Sequence, residues 1–337
     1  MIRVAVDAMG SDKGAPEVVA GALEAASSEI VPIVFGSPGL DTGGLELVET
    51  SQVIGMSEKP AEAFRTKQES SLVLACKAVA DGKSDAVVSA GNTGAMLAAG
   101  LVLLGRLRGV RRPAIAVPIP ARKGPSVLID AGANVGARPE HLVQFAHMGS
   151  IFAEEILGMR RPEVRLLSIG EEPEKGNQLT LEAHDLLREE TRLNFAGNAE
   201  SRDLLEHAAD VVVCDGFTGN MALKLLEGTI RTLMDGLRDE VASSQLAKLG
   251  GFLIRPRMRA LRDRLDPDTY GGAYLLGLRG LVVIAHGRSS SRAIKNAIQL
   301  AARGVDHGVV ERLGERLTAP ERVLESARLT HATPTGK

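Results

Sequence analysis

The chain has 337 residues, 44% of them hydrophobic and 24% charged, with 37 glycines and a formal net charge of -2. That length buries a large core, as one α/β unit or two lobes, and the composition is that of an ordinary soluble protein with many turns. No tryptophan, two tyrosines and seven phenylalanines leave no stacking platform for single-stranded nucleic acid, and the near-neutral charge gives no reason to expect a nucleic-acid partner.

Ile2 to Val6 reads as a strand ending at Asp7. Ala8 to Gly14 is a turn, Pro16 suits a first helical turn, and Glu17 to Ala26 follows as helix. Ile30 to Phe35 is the next strand, 37–44 is a loop, and Val53 to Met56 is a further short strand. Ser57 to Gln68 is a charged loop or short helix, with Ser70 and Ser71 placed to cap a helix from Leu72 to Ala80. Arg65 and Lys67 beside it suit a solvated charged face or phosphate capture.

A strand–turn–helix unit follows over 85–100, then a knot of arginines (Arg106, Arg108, Arg111, Arg112). Ala114 to Pro120 and Ser126 to Asp130 are strands, and Pro139 to Phe152 has helical spacing. Val164 to Ile169 is a strand that runs into a turn holding three glutamates and Lys175, before a helix from Leu179 to Arg188. Asn194 to Glu200 is a short strand and turn, and Arg202 to Ala208 a helix. A strand at Val211 to Cys214 breaks into the turn Asp215 to Gly219, and a helix runs from Asn220 towards Val241.

Over 243–267 the chain changes character. Arg255, Arg257, Arg259, Arg262 and Arg264 crowd together while Ile254, Met258, Leu261 and Leu265 recur at helical spacing, giving a protruding basic amphipathic element. Asp266 to Gly280 reads as a Gly-rich turn region, Leu281 to Ala285 as the last strand, and Arg292 to Ala302 as helix. The helical pattern continues to about Leu329, and 331–337 is a tail.

Strands alternating with helices argue for a three-layer α/β/α sandwich around a mostly parallel, Rossmann-like sheet, in a single unit over 1–330. Cys76 and Cys214 lie far apart in apolar runs and read as buried free thiols. Neither a signal peptide nor an apolar span of ~18 residues is visible, which implies a cytoplasmic or peripheral protein.

Two stretches carry the same construction. DAVVSAGNTGAM (Asp85 to Met96) and DVVVCDGFTGNM (Asp210 to Met221) share Asp, the double Val, Gly, Thr-Gly and Met at equal spacing. An internal duplication accounts for this, and so does independent strand–turn–helix chemistry. Either way two helix starts are ready for an anion, because the first backbone N–H groups of a helix lack internal partners and carry the positive end of its dipole.

Strand ends of an open α/β sheet converge on a crevice, and both turns are expected to open on one edge. That edge collects Asp7, Gly10, Gly91, Asn92, Thr93, Gly94, Asp130, Asn134, Asn177, Asp215, Gly216 and Gly219 as candidate substrate-binding residues, with Lys175, His286 and Asn220 as candidate catalytic ones. There is no Cys/His cluster at metal-ligand spacing, no G-x-S-x-G elbow, no Walker motif and no G-x-G-x-x-G. No metal, cofactor or covalent nucleophile is therefore expected. Transfer of an acyl or phosphoryl group directly between bound substrates is the chemistry that fits.

Six motifs in order (VDAMGSDKGAPE, SAGNTGAM, LIDAGANV with PEHLVQFAHMG, SIGEEPEKGN, CDGFTGNMALKLLEG and YGGAYLLGLRGLVVIAHGRSSSRAI) resemble the bacterial phosphate acyltransferases of phospholipid synthesis, the PlsX family, over roughly residues 1–305. Ser11, Lys13, Gly136, Thr218 and Tyr274 depart from the family's usual residues, and Tyr274 stands where a proline is usual. The resemblance implies transfer of a fatty acyl group from acyl carrier protein to inorganic phosphate. It also implies a fold related to isocitrate/isopropylmalate dehydrogenases and phosphotransacetylases, and a homodimer. Loose association with the cytoplasmic membrane is implied too, as is delivery of the acyl phosphate to a downstream glycerol-3-phosphate acyltransferase. In this reading Asn92, Thr93, Gly94 and Asn220 hold the phosphate, Lys175 or an arginine balances its charge, and Lys175 or His286 supplies a proton. The basic element with Arg255, Arg257, Arg259 and Arg262 contacts the carrier protein, an anionic membrane or the other subunit. A coenzyme A-dependent phosphotransacetylase and a non-enzymatic membrane-surface scaffold are the alternatives.

Overall fold

The computed structural model describes residues 1–318. The sequence-based expectation of helix as far as Leu329, and of a tail at 331–337, runs beyond those residues. In chain order the elements are β1 (Ile2–Asp7), α1 (Ala15–Ala25), β2 (Ile30–Gly36), β3 (Glu46–Glu49), α2 (Pro60–Thr66), α3 (Ser71–Ala80), β4 (Ala86–Ser89) and α4 (Thr93–Ala99), which continues as a π-helical turn (Gly100–Leu104). Next come β5 (Ala114–Ile119), β6 (Ser126–Ile129), α5 (Pro139–Leu157), β7 (Glu163–Ser168), α6 (Gln178–Glu189), β8 (Asn194–Glu200), a 3₁₀ turn (Ser201–Glu206) and β9 (Val211–Val213). The last third holds α7 (Gly216–Ala242), α8 (Gln245–Leu265), β10 (Ala273–Leu276), β11 (Leu281–Ile284), α9 (Ser291–Asp306) and α10 (Val309–Thr318).

Several expectations are corrected. The strand expected at 53–56 is absent, and β3 lies seven residues earlier, in a stretch whose partly buried Leu47 and Val48 are flanked by exposed glutamates. The helix expected from Arg202 is a 3₁₀ turn. The region 266–280 is not all turn, since β10 crosses it with every residue buried. α7 begins at Gly216 rather than Asn220, and α8 passes straight through Pro256.

All eleven strands among the described residues join one sheet in the order β3-β2-β1-β4-β11-β10-β5-β6-β9-β7-β8. Most pairs are parallel, but β10 is antiparallel to both β11 and β5, and β5 is antiparallel to β6. Three reversals mean that the β1–β4–β11 half and the β6–β9–β7 half run in opposite directions. The expectation that all strand ends share one outer edge therefore fails. The register supplies a different convergence: Val88, Val283, Tyr274, Ala116, Ile129 and Val213 pair side by side in one row. β4 and β11 end one residue past that row, and β6 and β9 end on it. The C-terminal ends of the two halves thus meet along a line across the middle of the sheet.

Side-chain alternation separates the faces. Val4, Val6, Val88, Ala116, Ile129, Val213 and Leu166 belong to one continuous core covered by α1, α9, α10, α5 and α6. The opposite face is split. Ala5, Val87, Ile115, Leu275 and Val282 pack with α2, α3 and α4, whereas Ile119, Leu128, Leu167, Val212 and Cys214 form a separate cluster with the start of α7. Both cysteines are buried and free, and burial pushes the Cys76 thiol up to about 12.

Candidate active site

A cavity of about 670 Å³ lies where that face is split. Ile115, Val117 and Ile119 of β5 line it, and α7 supplies Asn220, Leu223, Leu226, Glu227, Ile230 and Met234, a stripe at steps of three and four that one helix face presents. Thr93 enters from the β4–α4 turn, Gly132 from the loop after β6 and His286 from the loop after β11. Arg231, Arg262 and Arg288 line it as well, and none makes an ion pair within 4 Å among the described residues.

The two look-alike turns both reach the cavity, through Thr93 and Asn220, but neither is an empty anion cradle. The Asp215 carboxylate caps α7, accepting from the Phe217 and Thr218 backbone N–H groups at 3.0 Å and from the Thr218 hydroxyl at 2.6 Å. The anion at that helix start is the protein's own. Asn92 caps α4 through its side-chain oxygen, which accepts from Ala95 N–H at 3.0 Å. Its amide nitrogen lies within donating distance of the carbonyls of Gly55, Met56 and Glu58, at 3.0–3.2 Å. Asn92 therefore staples the loop before α2 to α4, and its side-chain amide is spent on that loop. Thr93 and Gly94 sit in the first turn of α4, where helical carbonyls leave N–H groups unclaimed.

The buried carboxylates named from the sequence are frame members rather than ligands. Asp7 accepts from the hydroxyls of Ser71 (2.6 Å) and Ser89 (2.7 Å), and burial raises its pKa despite those bonds. Asp130 accepts from the backbone N–H groups of Ile115, Gly132, Ala133 and Asn134 and from the Asn134 side chain. Asn134 also donates to the Pro113 carbonyl at 2.7 Å. The glycines answer to crowding. A Cβ on Gly10 would lie 2.6 Å from the Gly91 Cα, one on Gly216 2.7 Å from the Asn134 backbone, and one on Gly219 would strike the Asp130 carbonyl. Gly94 is pressed against Pro60.

Three polar residues of the lining form a cluster. Lys224 Nζ stands 2.9 Å from Glu227 Oε2 and 3.2 Å from His286 Nε2, and Glu227 Oε2 is 3.8 Å from the same ring nitrogen. Burial, followed by the charge of Lys224, lowers the pKa of His286 below the ordinary histidine value, against the opposing pull of Glu227 and Asp268. The Arg288 backbone N–H also faces the ring, 3.2 Å from Nδ1. An imidazolium would face two donors with no lone pair to offer.

Lys175 and Asn177 stand apart from this lining. Asn177 caps α6, accepting from Thr180 N–H at 2.9 Å, and the Lys175 side chain folds over Gly170. Their loop follows β7, which pairs with β9, so it opens on the same edge as the start of α7. Of the five arginines named on α8 only Arg262 lines the cavity; Arg255, Arg257, Arg259 and Arg264 do not, on a helix with no buried residue. Sequence reading missed Lys224, Glu227, Arg231 and Arg288. The signal available was position: Lys224 and Glu227 sit one and two turns beyond Asn220 on the same helix face.

Residues 2–312 match the family model described as "Fatty acid synthesis protein". A relative named phosphate acyltransferase from Heliobacterium modesticaldum is 44% identical over 94% of this chain and 98% of its own length. One of the same name from Moorella thermoacetica is 46% identical over 95% and 97%. Among solved structures, a branched-chain phosphotransacylase from Enterococcus faecalis superposes with a TM-score of 0.59 at 18% identity, covering 90% of this chain and 99% of that one. A 4-hydroxythreonine-4-phosphate dehydrogenase from Klebsiella pneumoniae gives a TM-score of 0.51 at 15% identity, covering 89% and 98%. These structural likenesses carry the fold. The fold and the relatives together define an α/β enzyme of the acyltransferase class. The chain belongs to the phosphate acyltransferase family, the one its six motifs resemble.

Proposed function

We propose that the protein moves a fatty acyl group from the thioester of acyl carrier protein to inorganic phosphate, in the cavity beside α7, giving an acyl phosphate for phospholipid synthesis. The observation that carries this reading is the cavity's lining: apolar residues of β5 and α7 share the space with Lys224, Arg231, Arg288 and His286. From Asn220 to Met234 the helix rises ~21 Å, and from Ile115 to Pro120 the strand rises ~16 Å. Extended chain advances about 1.2 Å per bond, since ~3.6 Å covers the three backbone bonds of a residue. Walls of that length match roughly 13 to 17 bonds, the span of a fatty chain rather than of an acetyl group.

In this reading phosphate sits among Asn220, the Thr93 turn and the unpaired cations, and an oxygen attacks the thioester carbonyl directly. Lys175, outside the cavity lining and without an ion pair among the described residues, is a further cation available to the substrates in this reading. The thiolate leaves without strong acid help, because a thiol pKa is about 8.5. The exposed α7–α8 hairpin, with Leu233, Leu246, Phe252 and Leu253 beside Arg255, Arg257 and Arg259, is assigned to contact with a second subunit, the carrier protein or an anionic membrane surface. Among the described residues no helix is long and apolar enough to cross a membrane.

The test is to incubate the purified protein and phosphate with either palmitoyl carrier protein or palmitoyl-coenzyme A, and to trap acyl phosphate as its hydroxamate. Product from the carrier protein, with no acyl-enzyme detected by mass spectrometry when phosphate is withheld, is the expected result. Product from coenzyme A alone rejects the carrier-protein donor, and a trapped acyl-enzyme rejects direct attack.

A further inference from the structure

We propose that Lys224 is a catalytic residue, with Glu227 and His286 as the positioning residues that aim its ammonium into the cavity. This rests on the phosphate acyltransferase reading above and adds to it the group that balances the reacting charge.

An ammonium has three protons and no lone pair. One of them meets Glu227 Oε2 at 2.9 Å and a second meets His286 Nε2 at 3.2 Å. Both partners line the cavity with Lys224, so the third proton is left for a bound anion. The burial pattern supports the division of labour: the Glu227 side chain is 15% exposed and that of Lys224 52%. The holder is sunk in the wall while the charge it holds is open to a ligand. Lys224 stands one turn after Asn220, whose side chain makes no hydrogen bond among the described residues and lines the same pocket. Two facing donors, one charged, are what a phosphate and a developing oxyanion need.

Both ring nitrogens of His286 face donors, and a neutral ring accepts at only one. The charged donor has the stronger claim, so Nε2 takes the Lys224 proton. The groups that set this ring's charge are Lys224 and Glu227 on α7, Asp268 on the segment before β10, and neighbouring Arg288. Asp12, from the loop after β1, reaches the adjacent Gly287.

The step balances without a proton from Lys224. A hydrogen phosphate dianion attacks the carbonyl carbon, a C–O bond forms and the C–S bond breaks with its electron pair on sulfur. The phosphate's remaining hydroxyl proton ends on that sulfur, giving acyl phosphate dianion and free thiol. Lys224 stays an ammonium and offsets charge on phosphate and carbonyl oxygen throughout.

The experiment measures steady-state rates for wild type, Lys224→Met and Glu227→Gln with palmitoyl carrier protein and varied phosphate, across pH, after thermal unfolding has shown each variant folded. Lys224→Met is expected to lose about 10²–10³-fold in kcat/KM for phosphate, with KM for the acyl donor changed less than about twofold. Glu227→Gln is expected to lose about tenfold and to move the acid limb of the pH profile to lower pH, because the carboxylate that raises the His286 pKa is gone. A Lys224→Met enzyme within about threefold of wild type overturns the proposal. So does a Glu227→Gln enzyme with an unmoved acid limb, which marks Glu227 as merely structural. A wild type that forms no acyl phosphate from either donor overturns the functional reading itself.

Discussion

The β4–α4 and β9–α7 units show how one capping residue redirects a shared motif. Aligned without gaps, Ala90 matches Asp215, Asn92 matches Phe217 and Ala95 matches Asn220. Asp215 caps at once, so α7 starts at Gly216. Ala90 has no side-chain acceptor, the cap falls to Asn92, and α4 starts two aligned residues later. The delay decides what the next turn does. Ala95 is fully buried, while its counterpart Asn220 lines the cavity. A pattern that reads as two equal anion sites yields one structural staple and one wall of the cavity.

The largest effect expected from this difference is at Asn220. Asn220→Ala should lower kcat/KM for phosphate by about 10²–10³-fold, as loss of an oxyanion donor does, with unfolding unchanged; a variant within threefold of wild type would erase the functional contrast. Next come the matching glycines. Gly219→Ala drives a methyl into the Asp130 carbonyl, on backbone that cannot yield, and should cost about 3 kcal/mol in urea unfolding. Gly94→Ala meets the Pro60 ring at 2.5 Å, which can shift, and should cost about 1 kcal/mol.

The caps themselves come third. Asp215→Ala removes one cap, worth about 1 kcal/mol. Asn92→Ala removes a cap and strands the carbonyls of Gly55, Met56 and Glu58, so about 2 kcal/mol is expected by the same unfolding assay. The smallest effect is in pH. Lys224 needs a neutral His286, so activity is present above the His286 pKa and is lost as pH falls through it. That pKa is depressed below 6.5, and lowering pH from about 7.5 to 6.5 should cost less than about twofold, with the steep loss further down. Thr93→Val, on the α4 side, should leave the acid limb in place.

The sequence announced the opening β–α–β unit and the long α5, because period-2 and period-3.6 patterns there agree with their Gly and Pro punctuation. It hid β10. Four buried residues between Gly272 and Gly277 look like turn, and only the two antiparallel neighbours that bury them reveal a strand. Tyr274, flagged as a departure at an uncertain turn, is a strand residue whose hydroxyl donates to the Leu300 carbonyl. The cluster at Lys224 was illegible for a plainer reason. Lysine and glutamate three apart on a helix ordinarily mark a solvated face, and only His286, 62 residues away in sequence, turns the pair inward. Strand direction was equally hidden, since a staggered meeting of two opposed halves and a common outer edge have the same hydrophobic pattern.

The hairpin has a consequence for how this enzyme can change. No residue of α8 is buried, and in α7 only Gly216 and Gly219 are. The sheet and its cores are therefore indifferent to most of the sequence between Leu225 and Leu265. One wall of the cavity can be rewritten by drift or by grafting, altering what the cavity admits and what the surface touches, with the foldable scaffold left as it was.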